Sequence, residues 1–295
     1  MIMDYSVLGD TVLAIRFILA LVALLGLLLV TPSSGDNLLH NPPKSTWTGR
    51  KTLTWLDANN EVRYVDVYVP TSFKKSKEKL PVVMWFMGSR VNVRKDYHYL
   101  GLSYEDCDIA SYAEKNRFML VVIDQKHEKG RGWECQDSDT LDETLILDVL
   151  AYLKKTFPVD DSRIYLWGIS AGGKLSQFIA VKHSDIITAV VSFSGVINAD
   201  FTYYADMVRH LKESPRKFPI IHWQTEGDFE DLIIDMKGML RLYREAGYPV
   251  EFVWLSHMPD RKLKHEWYAD LYNQKMWDWC KQFRLVDGKT VTESK

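Results

Sequence analysis

From residue 50 onwards, short apolar runs alternate with longer stretches of helical periodicity. Residues 50–56 and 62–69 flank the turn Asp57-Ala58-Asn59-Asn60 and predict a β-hairpin. In the second of these strands Val65, Val67 and Val69 share one face and Tyr64, Asp66 and Tyr68 the other, the two-residue period of a strand. The runs at 82–86, 118–123, 164–167, 188–193, 220–223 and 250–255 lack this alternation, as strands covered on both faces of a parallel sheet do. Between them lie helical patterns at 104–116, 174–182, 232–246 and 266–283, and an i, i+4 stripe of Leu141, Leu145, Val149 and Leu153. Eight strands with helices between most of them predict an α/β fold. Its sheet is doubly wound and mostly parallel, and ligands bind at the carboxyl ends of the strands.

The N-terminal pattern is different. Residues 17–30 are apolar and uncharged, preceded by Arg16 and followed by Thr31-Pro32-Ser33-Ser34-Gly35. A spanning helix needs ~20 apolar residues and a signal h-region ~7–15. Residues 1–35 therefore read as a signal peptide. If Arg16 snorkels and the run extends back through Val12-Leu13-Ala14-Ile15, they read instead as a signal anchor. Either reading puts the folded part outside the cytosol, secreted or membrane-anchored, and a membrane is a partner only if the segment is retained. Residues 36–49, with Asn41-Pro42-Pro43, read as a linker, 50–285 as one globular domain, and 286–295 as a frayed polar tail.

Composition narrows the chemistry. The 295 residues are 46% apolar and 26% charged, enough for one sizeable core. Lys plus Arg number 37 against 39 Asp plus Glu, a near balance that argues against a nucleic-acid partner. No Cys/His pair has zinc-ligand spacing, so neither a metal nor a cofactor is expected. Of the three cysteines, Cys107 and Cys135 could form one bridge in an oxidising compartment, or all three, with Cys280, could be buried thiols.

One motif carries reactive chemistry. The strand pattern Ile164-Tyr165-Leu166-Trp167 runs into Gly168-Ile169-Ser170-Ala171-Gly172-Gly173, and a helical pattern follows. Strand, Gly-x-Ser-x-Gly, helix is the nucleophile elbow, a sharp turn that lifts a serine hydroxyl clear of the sheet at a helix N-terminus. Such a serine needs a base, and the base an orienting carboxylate, in the chain order Ser, Asp or Glu, His. After the 220–223 run, Asp228 is the first candidate acid because it follows the turn at Glu226-Gly227. Asp231 is the second and Glu226 the third. His257, close to the end of the 250–255 run, and His265, just before the last helix, compete as base.

The elbow, the preceding Val159-Asp160-Asp161-Ser162-Arg163-Ile164-Tyr165 and the helix upstream of it resemble the polyhydroxybutyrate depolymerase and feruloyl esterase group of α/β-hydrolases. The resemblance covers roughly residues 52–283. His265-Glu266-Trp267 matches that group's His-x-Trp, which implies His265 rather than His257 as the base. At Asp228 the usual Gly-x-x-Asp is replaced by Thr225-Glu226-Gly227-Asp228. The stretch from Phe193 to Ile220 is too short for a large cap domain, and the resemblance implies an acyl-enzyme route from Ser170, His265 and Asp228, and no cofactor. It also implies an oxyanion hole with one backbone donor from Ala171 and another from Ser89 or Arg90. Where the group usually carries His-Gly after its third strand, this chain reads Phe86-Met87-Gly88-Ser89-Arg90. The substrate is then a small-molecule or polymeric ester. A serine peptidase of the prolyl oligopeptidase type and an inactive hydrolase-fold binding protein are the alternatives.

Overall fold

The computed structural model describes residues 38–75, 78–89, 109–125, 133–135, 140–197 and 203–292. The apolar run at 17–30, and Arg90 and Cys107 with it, lie outside the described residues.

Nine strands form one sheet. They are β1 (Leu38–His40), β2 (Gly49–Leu56), β3 (Val62–Val69), β4 (Leu80–Phe86), β5 (Met119–Ile123), β6 (Val159–Ile169), β7 (Ala189–Phe193), β8 (Ile220–Thr225) and β9 (Val250–Leu255). Their spatial order is β1-β2-β3-β5-β4-β6-β7-β8-β9. The first three pairings are antiparallel and the remainder parallel. The eight strands expected are all present. The ninth, β1, corrects the reading of 36–49 as a bare linker: it pairs antiparallel with β2, and Trp47 is buried edge-on against Phe157. Three residues carry too little pattern to announce a strand.

The helices are α1 (Ile109–Asn116), α2 (Leu141–Thr156), α3 (Ala171–Lys182), α4 (Tyr204–Glu213), α5 (Glu230–Glu245) and α6 (Ala269–Cys280). The stripe expected on α2 is buried at Leu145, Val149 and Leu153, and Thr140 caps the helix by accepting from Glu143 N at 3.0 Å. Helix α4, with a single turn of apolar anchors at Met207 and Leu211, had no counterpart in the sequence pattern. Apolar side chains of α2 to α5 pack on one face of the sheet, and those of α1 and α6 on the other. This is the doubly wound arrangement. Aromatic rings are found on both faces; on the second, Phe118 stacks on Trp277 and Phe193 on Tyr272.

The described part of the tail, to residue 292, is not frayed. Phe283–Val286 (β10) and Lys289–Thr292 (β11) form a hairpin, with Asp287 and Gly288 both at positive φ (48° and 72°) as a type I′ turn requires. Tyr165 Oη donates to Phe283 O at 2.8 Å, and the Arg216 guanidinium donates to Thr290 Oγ1, so the hairpin is fastened to the sheet. Cys135 and Cys280 are free buried thiols, and the Cys107 half of the suggested bridge lies outside the described residues. Burial pushes both thiols well above their ordinary range, which keeps them unreactive.

A buried ion pair ties β3 to α2: Arg63 Nη2 lies 2.6 Å from Asp142 Oδ1, with side chains 3% and 1% exposed. Removing one member of such a pair strands the other. Asp142→Ala is therefore expected to lower the unfolding free energy by roughly 3–5 kcal/mol. The urea midpoint reads this directly, and an unchanged midpoint would contradict it.

Candidate active site

The chain leaves β4 towards β5 and leaves β6 towards β7, in opposite directions from adjacent strands. That reversal opens a crevice at the carboxyl ends of β4 and β6. Gly88 follows the first of these strands and Ser170 the second.

Ser170 has φ 55° and ψ −121°, a conformation that costs a non-glycine residue ~1–3 kcal/mol. Three contacts hold it there. Ser170 N donates to Phe193 O at 2.8 Å, and Lys174 N donates to Ser170 O at 3.0 Å. The third is steric: a Cβ on Gly172 would lie 2.1 Å from Phe86 O, and one on Gly168 would lie 2.2 Å from Gly172 O. Only glycine lets β4, β6 and α3 approach this closely. The helix starts at Ala171, ahead of the expected Lys174. A serine at an N-cap normally spends its hydroxyl on the first amides of the helix. Here the positive φ prevents that, and Ser170 makes no side-chain cap. Both the hydroxyl and the first amides of α3, Ala171 among them, are left for a ligand.

The structure brings Asp228 and His265 together. His265 Nδ1 lies 2.6 Å from Asp228 Oδ1, and the Asp228 side chain is fully buried. Phe229 N also donates to Oδ1, at 2.7 Å. The other oxygen, Oδ2, accepts from Gln224 Nε2 at 2.5 Å and from Ser194 Oγ. An ionised carboxylate can only accept, so the Nδ1 of His265 carries the proton and Nε2 presents a lone pair. The same logic fixes Gln224, whose Oε1 faces His222 Nε2 at 3.0 Å and makes that nitrogen a donor. His222 is fully buried and stacked on Phe252, and burial pushes its imidazole down to about 4.

Neither alternative reaches this pair. Asp231 is exposed in the first turn of α5. His257 supports the loop that delivers His265: its Nδ1 accepts from Leu263 N at 3.1 Å, and its own N donates to Glu226 Oε2 at 2.8 Å. Glu226, the third candidate acid, is thereby occupied as a loop anchor. Thr225 Oγ1 donates to Lys264 O at 3.0 Å, which fastens the residue before His265 to the end of β8. The Phe229 ring, 60% exposed, lies 4.9 Å from the His265 ring. Ser194, Gln224, His222 and Phe229 were not anticipated as site residues. The available signal was a polar pair, His222 and Gln224, two residues apart on one face of an otherwise apolar buried strand.

Among the described residues Ser170 Oγ makes no hydrogen bond. Such hydroxyls are often loosely held until a substrate arrives. Of the expected oxyanion donors, Ser89 is exposed just beyond β4, Ala171 opens α3, and Arg90 lies outside the described residues.

The Esterase family model matches residues 57–283, which holds strands β3 to β9, the elbow and both downstream residues. The chain belongs to the Esterase family. Within this family's wider surroundings, it is 29% identical to feruloyl esterase B of Thermothelomyces thermophilus over 99 residues, 32% of this chain and 34% of that protein. It is 22% identical to acetylxylan esterase A of Aspergillus oryzae over 146 residues, 48% of this chain and 44% of that protein. The matched stretches thus span from a third to under half of these relatives' lengths. A ferulic acid esterase structure superposes with a TM-score of 0.58 at 18% identity, covering 79% of this chain and 97% of that one. An S-formylglutathione hydrolase from Agrobacterium tumefaciens gives 0.55 at 16%, covering 80% and 96%. These superpositions establish the α/β-hydrolase fold for this Esterase-family chain.

The buried His222 makes the site acid-sensitive in a defined window. Below about pH 6.5 the unfolded chain binds a proton that the folded chain refuses until about pH 4. Stability is therefore present above 6.5 and lost as the pH falls through that interval. His222→Gln keeps a donor for Gln224 but does not titrate. It is expected to flatten the stability-against-pH slope between 6.5 and 4 by up to ~1.4 kcal/mol per pH unit. Chemical denaturation at a series of pH values tests this, and an unaltered slope would contradict it.

Proposed function

We propose that the protein is a serine hydrolase of carboxylic esters that works through an acyl-enzyme. One observation carries the reading: a strained, uncapped Ser170 at the sheet's crevice in a chain that also pairs a buried Asp228 with His265. In this mechanism Ser170 Oγ attacks the ester carbonyl carbon as its proton passes to His265 Nε2. Asp228 holds the imidazole in the required tautomer and stabilises the imidazolium. The oxyanion is met by the backbone N–H groups of Ala171 and Ser89, with Arg90 as the neighbouring alternative. The bond to the leaving alkoxide breaks and His265 returns the proton to it. Water, deprotonated by His265, then attacks the acyl-enzyme; the acyl–Oγ bond breaks, His265 returns the proton to Ser170 Oγ, and the carboxylic acid leaves.

Bulky or polymeric esters are the proposed substrates, of the feruloyl or acetyl polysaccharide type that the relatives' names indicate. Esters of the polyhydroxyalkanoate type are the runner-up. Between β7 and β8 only the ten-residue α4 is described, which favours an open cleft over a large cap. The apolar run at 17–30 supports action outside the cytosol. No described helix is long and apolar enough to cross a membrane.

Ser170→Ala is expected to abolish both turnover of p-nitrophenyl acetate and labelling by a fluorophosphonate. Equal rates in variant and wild type would refute the proposal. Asp228→Asn is expected to lower kcat by on the order of 10⁴-fold, because the amide favours the wrong imidazole tautomer. Asp231→Asn should leave kcat essentially unchanged, and full activity in Asp228→Asn would overturn the assignment of the acid.

A further inference from the structure

The strand exit that supplies one oxyanion donor lacks the histidine that the related esterases usually carry, with Met87 in its place. The structure fills this gap from the neighbouring strand. Gln125, 4% exposed, lies two residues beyond the end of β5. Its Nε2 donates to Met87 O at 3.1 Å and also to Gly88 O. Trp133 Nε1 donates to Met87 O at 2.8 Å, its ring set edge-on to Phe86. Both acceptors of Gln125 are backbone carbonyls, so the amide's orientation is fixed by chemistry.

We propose that Gln125, assisted by Trp133, is a positioning residue that aims the oxyanion-binding amides of the β4 exit. In a planar trans peptide the N–H points opposite to its carbonyl. Turning the Met87 carbonyl to Gln125 sends the Gly88 N–H the other way, and turning the Gly88 carbonyl does the same for the Ser89 N–H. This segment abuts the nucleophile: a Cβ on Gly88 would lie 3.4 Å from Ser170 Cβ and 3.9 Å from Ser170 Oγ. Gln125 is held by this one end. Its Oε1 is buried without a hydrogen-bond partner among the described residues. The inference rests on Ser170 being the nucleophile.

The test compares Gln125→Met, which keeps length and burial but cannot donate, with the wild type. Three quantities are read on p-nitrophenyl acetate and a trifluoromethyl ketone, whose serine adduct carries an oxyanion. Misaimed donors are expected to lower kcat by ~10–10²-fold and to leave KM nearly unchanged. The inhibition constant of the ketone should rise by a matching factor. A merely structural role would lower the melting temperature without this parallel between kcat and ketone affinity. Trp133→Phe, which keeps a ring beside Phe86 and loses only the donor, is expected to show the same parallel on a smaller scale. It carries the test if Gln125→Met does not fold. Wild-type kcat and ketone affinity in the folded variant would overturn the proposal, as would a fall in kcat without loss of ketone affinity. A wild-type protein that turns over no ester would instead overturn the reading of Ser170, and this inference with it.

Discussion

Backbone touching backbone at the crevice is the constraint on which the remaining geometry depends. Phe86 O, at the end of β4, occupies the place where a side chain on Gly172 would go. The first turn of α3 can therefore seat itself against β4 only because Gly172 has no side chain. Once it does, the chain at Ser170 must turn through a positive φ, and the amide of Ser170 finds its partner across the sheet in Phe193 O. The strain is small beside the burial of α3, most of whose residues lie in the core. An otherwise ordinary helix-sheet contact thus holds a hydroxyl in a conformation that the chain would not adopt alone.

The carboxylate at Asp228 illustrates how a buried charge is made tolerable. Its two oxygens are divided between two tasks, one facing His265 and the amide of Phe229, the other facing Gln224 and Ser194. Four donors around a fully buried side chain meet the requirement that such charges be hydrogen-bonded. Ser194 does so from a second positive-φ position, at 50°, directly after β7. Two of the positive-φ residues thus sit at adjacent strand exits, β6 and β7, beside the proposed chemistry.

The sheet was legible because its physics is local and repeated. Apolar runs of strand length separated by helical periodicity leave few topologies, and the elbow's glycines mark a turn that only glycine permits. Asp228 and His265 could be placed at the ends of late strands for the same reason. What was not legible depended on pairings between distant positions. Strand β1 is defined by its partner β2 and not by its own three residues. Gln125 acquires meaning only when β5 lies beside β4, and Ser194 only when β7 lies beside β8. The tail hairpin is a different case: Asp287-Gly288 between two β-prone segments is a strong turn signal, and its polarity concealed it.

The loop that bears His265 is stitched to the turn that bears Asp228 at several points: Thr225 to Lys264, His257 to Glu226, and Leu263 lying over Gly227. His265 and Asp228 are thus parts of a single cassette on the β8–β9 side of the sheet, while Ser170 belongs to a separate one built from β4, β6 and α3. The Asp228–His265 geometry is therefore set independently of the elbow that carries Ser170.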